Sequence, residues 1–252
     1  MEQPYFSSLQ GKTVFITGGA RRIGASMARR LHAEGMNLVI HYRHSSDDAR
    51  ALQRELNQLR PHSVQLVGGD LLVAGAVTQL AEAAVAAFGG LDVLINNAST
   101  FYPTPLGQIT EAHWNDLMGT NLKAPLFLSQ ALAPTLMARN GCIINIVDTH
   151  ARYPLKDYPV YCAAKAGLWL LTQSLARELG PRVRVNGIAP GAILWPEAAE
   201  NTAGHDTMIR HTALQREGDP DDIARTALFL IRDGGYITGQ VIAVDGGRSM
   251  AQ

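Results

Sequence analysis

The residues of this sequence with the clearest chemical potential are a tyrosine and a lysine in the stretch YCAAK. Tyr161 and Lys165 are four residues apart near the start of a predicted helix, so they share one helix face. A free tyrosine has a pKa of about 10, too high for efficient proton transfer near neutral pH. A neighbouring ammonium stabilises the phenolate, so we expect Lys165 to lower the pKa of Tyr161.

A glycine-rich turn, TGGARRIG, follows the strand-like run TVFIT and leads into a predicted helix. Gly18, Gly19 and Gly24 are small enough to let the backbone approach a pyrophosphate. The amide groups and the positive dipole at the start of the helix also favour an anion. The turn is therefore a candidate site for the phosphates of a dinucleotide.

The end of the second predicted strand, HYRHSS, indicates which dinucleotide this is. An acidic residue is expected here for a cofactor with a free ribose 2′-hydroxyl, but none occurs before Asp47. Arg43, His44 and Ser45 stand there instead, and Arg22 lies in the first loop. Guanidinium, imidazole and hydroxyl groups suit a 2′-phosphate, which predicts NADPH or NADP+ as the cofactor.

Seven short apolar runs alternate with longer amphipathic stretches along the chain. Apolar strands separated by helices indicate a parallel sheet with both faces covered, as in doubly wound α/β folds. We predict a Rossmann-type sheet of about seven strands in a single domain over residues 1–252. The predicted helices cover about 23–34, a stretch ending near 59, and 74–88, 111–138, 159–179 and 220–232.

The composition excludes several classes of partner. The formal net charge of zero argues against nucleic acid, and no apolar run reaches the ~18 residues that span a bilayer. The N-terminus MEQPYFSSLQ lacks a secretory signal pattern, and the two cysteines have no metal-type spacing. We therefore expect a cytoplasmic protein with a small-molecule substrate and no metal, nucleic-acid or membrane partner.

The chain resembles the short-chain dehydrogenase/reductase family along nearly its whole length. The matching stretches are TGGARRIG, GGDLL, NNAS, GTNLKAP, YCAAK, RVNGIAPG and ITGQVIAVDGG. The resemblance implies that Asn121, Tyr161 and Lys165 belong to a proton relay. It also implies a homotetramer formed through the helices near 111–138 and 159–179. The cofactor residues expected from the loops and the resemblance are Gly18, Arg22, Ile23, His41, Tyr42, Arg43, His44, Ser45, Asp70, Leu71, Asn97, Ala98, Ser99, Tyr161, Lys165, Pro190 and Gly191.

At two positions the sequence differs from the usual pattern of the family, and these differences indicate a subgroup within it. Arg22 stands where the family has glycine, and Asp148 stands where it has serine, 13 residues before Tyr161. With HYRHSS and NNASTFYPTPL, these departures resemble the pteridine reductases within the family. That subgroup implies catalytic roles for Asp148, Tyr161, Lys165 and Asn121. It also implies a substrate pocket lined by Arg22, Ser99, Phe101, Asp148, Tyr158 and Tyr161, with Phe101 stacked on the pterin.

The chemistry of Asp148 supports the same assignment. A carbonyl substrate needs a hydrogen-bond donor at its oxygen, whereas an ionised aspartate only accepts. The C=N nitrogen of a pterin must instead gain a proton as hydride arrives at the carbon, and an Asp–Tyr pair can deliver one. We therefore expect an NADPH-dependent reductase of dihydropterins such as dihydrobiopterin or dihydromonapterin, with dihydrofolate as a further candidate.

Two other functions compete with this prediction. One is an NADPH-dependent carbonyl reductase of 3-oxoacyl groups on acyl-carrier protein or of sugars, against which Asp148 and Phe101 argue. The other is a catalytically silent NADP-binding sensor, against which the intact Asn121, Tyr161 and Lys165 argue. The least regular region, about 191–218, is a candidate substrate-covering segment, in which Leu194 and Trp195 are candidate ligand contacts.

Overall fold

The computed structural model describes residue 6 and residues 8–193, 209–210 and 212–250. Its seven strands form one sheet in the order β3-β2-β1-β4-β5-β6-β7, and every neighbouring pair is parallel. The predicted doubly wound α/β fold is thus confirmed. The strands are β1 (Thr13–Ile16), β2 (Asn37–Tyr42), β3 (Val64–Gly68), β4 (Val93–Asn96), β5 (Cys142–Ile146), β6 (Arg184–Pro190) and β7 (Val241–Val244).

Helices cover both faces of the sheet. Side chains of a strand alternate between faces, so Val14 and Ile16 pack with one helix layer and Phe15 with the other. The first layer contains α1, α2 and α7, and the second contains α3, α5 and α6. The helices are α1 (Arg22–Ala33), α2 (Ser46–Leu59), α3 (Ala76–Phe88), α4 (Glu111–Met118), α5 (Ala124–Ala138), α6 (Pro159–Leu179) and α7 (Pro220–Arg232).

The helix predicted over about 111–138 is divided in the structure. A π-helical turn, Gly119–Lys123, separates α4 from α5 and carries Asn121. Such a wider turn re-aims the side chains within it and is frequent at functional sites. The chain is helical on both sides of this turn, and the sequence pattern therefore predicts one continuous helix. None of the helices in the described part of the chain could span a membrane.

The strand order reverses between β1 and β4, which places a crevice at their carboxyl ends. In open α/β sheets, ligands bind at this switch point. The loops after the two strands approach closely here, since a Cβ on Gly18 would lie 3.0 Å from the Ala98 Cα. Gly18 also has a φ of 59°, so glycine is favoured for both conformation and space. The predicted phosphate turn therefore lies beside the loop that carries Ser99 and Phe101.

The two ends of the predicted covering segment meet at one point. The amide of Gly218 donates to the carbonyl of Ala192 at 3.0 Å, and the buried Ile193 packs against Gly218. A Cβ on Gly218 would lie 2.5 Å from the Ile193 Cδ1, so a larger residue would push the end of this side chain aside. This clasp joins the end of β6 to the residues just before α7. Leu194 and Trp195 lie outside the described residues.

Candidate active site

A hydrogen bond between Asp148 and Tyr161 forms the centre of the site. Asp148 follows β5 and begins a single 3₁₀ turn, where its Oδ1 accepts from the backbone amide of His150 at 2.7 Å. Tyr161 lies in the first turn of α6, and its hydroxyl donates to Asp148 Oδ2 at 2.6 Å. Because one carboxylate oxygen is held by the backbone, the other is fixed in direction toward Tyr161.

The pKa of Tyr161 differs from the prediction made from the YCAAK spacing. Burial, followed by the charge and hydrogen bond of Asp148, raises the pKa of Tyr161 well above its ordinary value. Lys165 does not reverse this, since its Nζ donates to the Ile146 carbonyl at 2.9 Å and lies 5.7 Å from the Tyr161 ring centroid. Tyr161 is therefore a neutral phenol that donates a proton. The expectation that Lys165 lowers its pKa is wrong for this structure.

Burial also shifts the pKa of Lys165. The side chain is almost fully buried, and desolvation lowers its pKa to about 8, against the opposing charge of Asp148. A lysine with this pKa is still mostly charged at neutral pH, and it loses its proton in mildly alkaline solution. The site thus holds one cation that titrates near the working range of most enzymes.

The side chain of Asn121 is bound to Ser99 and to the backbone. Its Nδ2 donates to the carbonyls of Thr100 at 3.0 Å and Leu117 at 2.9 Å. Its Oδ1 accepts from the hydroxyl of Ser99 at 2.6 Å. The sequence stretches NNAS and GTNLKAP gave no sign of this contact, because 22 residues separate the two partners.

Aromatic side chains form one wall of the site. The Phe101 ring stacks on Tyr158 with centroids 4.6 Å apart and meets the edge of Tyr161 at 4.8 Å. Phe101 remains 44% exposed although its ring contacts both tyrosines. The Thr104 amide donates to the Asp157 carbonyl at 2.6 Å, which joins the loop after β4 to the loop before α6. The structure thus brings three of the predicted pterin contacts together.

The turn after β1 has the close packing that a dinucleotide cradle needs. Asn97 Nδ2 donates to the carbonyls of Thr17 and Gly18, each at 2.9 Å. The Thr17 hydroxyl accepts from the amides of Asn97 and Ala98, a role that the sequence did not reveal. A Cβ on Gly24 would lie 2.5 Å from the Gly18 carbonyl oxygen, so glycine is required there. The residues present therefore fit a bound pyrophosphate at the start of α1.

Arg22 adopts a backbone conformation that usually belongs to glycine. Its φ is 52°, in the left-handed region, although it begins α1 and carries a long exposed side chain. The neighbouring Arg21 lies 3.7 Å from Asp48 in an exposed ion pair. A non-glycine residue in this region stores strain, and such residues cluster at ligand sites. Arg22 thus adopts a backbone conformation that favours glycine while adding a cation.

The residues predicted for the 2′-phosphate lie at the end of β2. Arg43 Nη1 is 3.8 Å from Asp70 Oδ2 and 4.0 Å from Asp116 Oδ1. Ser45 is the residue before α2, and its hydroxyl makes no capping hydrogen bond to that helix. His44 is exposed beside it. The Arg43 guanidinium and the Ser45 hydroxyl are thus placed where an anion could reach them.

The His41 and Tyr42 side chains contact the protein itself. The amide of Gly18 donates to His41 Nδ1 at 3.2 Å, so Nε2 carries the proton and donates to the Gly69 carbonyl at 3.0 Å. Burial lowers the pKa of His41, which keeps the ring neutral. The Tyr42 ring lies against Gly68. Cofactor contacts by these two residues stay predictions.

The other predicted cofactor residues border the same crevice. Ile23 lies in the first turn of α1, Leu71 follows Asp70 after β3, and Pro190 ends β6. Gly191 donates its amide to the Val244 carbonyl at 3.0 Å, and a Cβ there would lie 2.5 Å from the Asp245 Cβ. Within the described ranges, no group of three His, Cys, Asp or Glu side chains could hold a metal ion.

A Rossmann-type sheet with a phosphate cradle and a buried tyrosine–lysine pair defines a class of dinucleotide-dependent oxidoreductases. Residues 18–249 match the family model described as enoyl-(acyl carrier protein) reductase. The chain belongs to the short-chain dehydrogenase/reductase family and is an NAD(P)-dependent oxidoreductase.

Relatives with different activities are similar to the chain at nearly the same level. Pteridine reductase 1 of Leishmania tarentolae is 35% identical, covering 94% of this chain and 96% of the relative. The 3beta-hydroxysteroid dehydrogenase 1 of Eggerthella lenta is 34% identical, covering 97% and 96%. A 3-oxoacyl-(acyl-carrier-protein) reductase of Staphylococcus epidermidis is 35% identical, covering 95% and 99%. Overall identity therefore shows the family but does not distinguish among these substrates, so the substrate must be inferred from the residues of the site.

Proposed function

We propose that the protein is an NADPH-dependent pteridine reductase that reduces a C=N bond of a dihydropterin, with dihydrofolate as a further substrate. The observation that carries this proposal is the 2.6 Å hydrogen bond from the Tyr161 hydroxyl to Asp148. When bound, the reduced nicotinamide supplies the hydride. The residues of the chain must then supply a proton to the neighbouring ring nitrogen.

The Asp148–Tyr161 pair suits proton delivery to nitrogen. The raised pKa of Tyr161 keeps its hydroxyl proton in place until the substrate nitrogen takes it. The tyrosinate that remains must regain a proton from solvent, and Asp148 can relay that proton once the carboxylate has itself taken it up. An ionised carboxylate at this place would oppose the alkoxide that develops during carbonyl reduction. Lys165 donates to the Ile146 carbonyl and supplies positive charge beside the Tyr161 ring. We propose that it also holds the nicotinamide ribose.

The aromatic wall supports a flat heterocyclic substrate. Tyr158 covers one face of Phe101, and a pterin is proposed to stack on the opposite face, between Phe101 and the nicotinamide. Offset aromatic stacking contributes about 0.5–1.5 kcal/mol beyond area burial. Arg22 lies at the phosphate end of the crevice and is proposed to contact both a cofactor phosphate and the pterin.

The preference for NADPH is proposed to depend on Arg43 and Ser45, with Arg22 contributing. Loss of one charge-assisted contact costs about 1.5–3 kcal/mol, or roughly one to two decades in affinity. We expect Arg43→Ala to weaken NADPH binding by this factor and to leave NADH binding nearly unchanged, as measured by titration of both cofactors. Equal losses for both would mean that Arg43 does not contact the 2′-phosphate.

The competing function is carbonyl reduction, and the similarity to the 3-oxoacyl reductase and the steroid dehydrogenase favours it. Replacement of Asp148 by serine separates the two functions, since serine is the family's usual donor at this place. For a pterin reductase, Asp148→Ser should reduce kcat/KM on dihydrobiopterin by ~10²–10⁴-fold, the usual value of a positioned acid–base group. For a carbonyl reductase, the same change should maintain or raise the rate on ketones.

Asp148→Asn is the matched control, because asparagine keeps the shape of the side chain and cannot carry a proton between groups. Both variants should lose pterin reduction, whereas only the serine variant gains the hydroxyl that a ketone needs. Unchanged pterin reduction in Asp148→Ser would remove Asp148 from the mechanism. Strong ketone reduction by the wild type, without activity on dihydropterins, would refute the substrate assignment.

A further inference from the structure

Tyr102, the residue after Phe101 in the aromatic wall, is bound to helix α4. Its hydroxyl donates to Asp116 Oδ2 at 3.0 Å. Burial, together with the hydrogen bond and the charge of Asp116, raises the pKa of Tyr102 to about 12, so the phenol keeps its proton and Asp116 is the acceptor. One oxygen of this carboxylate therefore ties the loop that carries Phe101 to α4.

The other oxygen of Asp116 is paired with a residue of the proposed 2′-phosphate site. Asp116 Oδ1 lies 4.0 Å from Arg43 Nη1, and the same nitrogen lies 3.8 Å from Asp70 Oδ2. These are ion-pair distances without a short hydrogen bond, and the Arg43 side chain is 36% exposed, so its guanidinium can turn toward an anion. Asp116 thus stands between the arginine proposed to contact the cofactor and the tyrosine beside the aromatic wall.

The charge of Asp116 links these two partners. A cation beside a carboxylate offsets part of its negative charge, and a hydrogen bond weakens as the charge of its acceptor falls. Arg43 cannot give Asp116 and a 2′-phosphate its best contact at the same time, because a guanidinium binds an anion through one planar set of donors. When Arg43 turns to the phosphate, more of the charge of Asp116 is available to Tyr102, and the loop of Phe101 is held more firmly.

We propose that Asp116 is a positioning residue that couples the 2′-phosphate of the cofactor to the aromatic wall, so that NADP(H) prepares the site for the pterin and NAD(H) does not. Such coupling is reciprocal, so a bound pterin must favour the phosphorylated cofactor by the same factor. NADPH is then selected at the phosphate and again when the pterin binds. This inference rests on the proposed function and adds to it the residue that joins the two binding sites.

The test is the affinity for dihydrobiopterin, measured by calorimetry with the protein saturated with NADP+ and, separately, with NAD+. An oxidised cofactor has no hydride to give, so the pterin binds without being reduced. We expect the wild type to bind dihydrobiopterin roughly two- to fivefold more tightly beside NADP+, the size of effect that partly exposed ion pairs reach. This ratio should fall to about one in Asp116→Asn, since asparagine has no charge for Arg43 to offset.

Tyr102→Phe separates the coupling from cofactor recognition. It removes the hydroxyl but keeps the ring and the Arg43–Asp116 pair, so the ratio should again fall to about one while NADP+ alone binds nearly as in the wild type. General damage to the fold would instead weaken pterin binding equally with both cofactors and leave the ratio unchanged. Glu55→Gln is the matched control, because it removes another exposed ion pair, with Arg29 at 2.7 Å, and should keep the wild-type ratio.

Equal affinity of the wild type for dihydrobiopterin beside the two cofactors would overturn the inference and leave pterin reduction standing. A wild-type ratio that persists in Asp116→Asn or in Tyr102→Phe would overturn it in the same way. Absence of dihydrobiopterin binding with either cofactor would refute the proposed function and this inference together.

Discussion

Replacing Arg22 by glycine should stabilise the protein while weakening its cofactor site. Arg22 has a φ of 52°, where a side chain costs about 1–2 kcal/mol relative to glycine. Glycine loses part of that gain, about 0.5–1 kcal/mol, through the greater freedom of the unfolded chain. The net gain in the free energy of unfolding is about 0.5–1 kcal/mol.

The proper reference for this gain is Arg22→Ala. Alanine removes the guanidinium but keeps the Cβ that causes the strain, so both variants lose the same side-chain contacts. We expect Arg22→Gly to melt roughly 1–4 °C above Arg22→Ala, given the scaling for chains of this size. The assay is thermal and urea denaturation of the cofactor-free protein.

The Arg22→Gly and Arg22→Ala variants are also expected to bind the cofactor more weakly. Both variants should bind NADPH roughly one to two decades more weakly than the wild type, because a charge-assisted contact is lost. If Arg22→Gly is no more stable than Arg22→Ala, the backbone at Arg22 stores no strain. If both bind NADPH normally, the guanidinium has no role at the phosphates.

Two further predictions concern Phe101 and Lys165. Phe101→Ala should raise the KM for dihydropterin and leave NADPH affinity nearly intact, because only the stacking contact with the pterin is lost. Steady-state kinetics with each ligand varied in turn would check this, and a rise in the KM for NADPH would contradict it. The pKa of Lys165 is lowered from 10.5 to about 8, so activity should fall as the pH rises through about 8 and the ammonium is lost. Between about pH 8 and 10.5 the unfolded chain keeps the proton of Lys165 and the folded chain does not. The contribution of Lys165 to the free energy of unfolding therefore rises with pH in this range. An alkaline limb of the pH–rate profile that is unmoved in Lys165→Arg would show that Lys165 does not cause it.

The periodic parts of the chain could be predicted closely. Helices α6 and α7 match their predicted bounds, since each begins with a proline in a position where the missing amide costs nothing. The break between α4 and α5 was missed, although Gly119 and Pro125 beside it are residues that disfavour a helix interior. Local pattern therefore predicted elements but missed a backbone irregularity inside one of them.

The chemistry of the site depended on contacts between distant stretches. The YCAAK spacing placed Lys165 beside Tyr161, but the pKa of Tyr161 is raised by burial and by Asp148, which approaches only through the turn after β5. The contact between Ser99 and Asn121 likewise joins two distant stretches. The residue types indicated which groups take part in the chemistry, but which of them carry a proton could be inferred only from the three-dimensional arrangement.

The clasp between Gly218 and Ala192 has a consequence for how the protein could be re-engineered. Its 3.0 Å hydrogen bond brings the two ends of the intervening stretch together, and within that stretch the amide of Leu214 donates separately to the Gly246 carbonyl. Closing a flexible insert costs only about 0.6 kcal/mol more each time its length doubles. The residues between Ile193 and the buried Thr212 are thus the natural place to graft segments of other lengths to alter the choice of substrate.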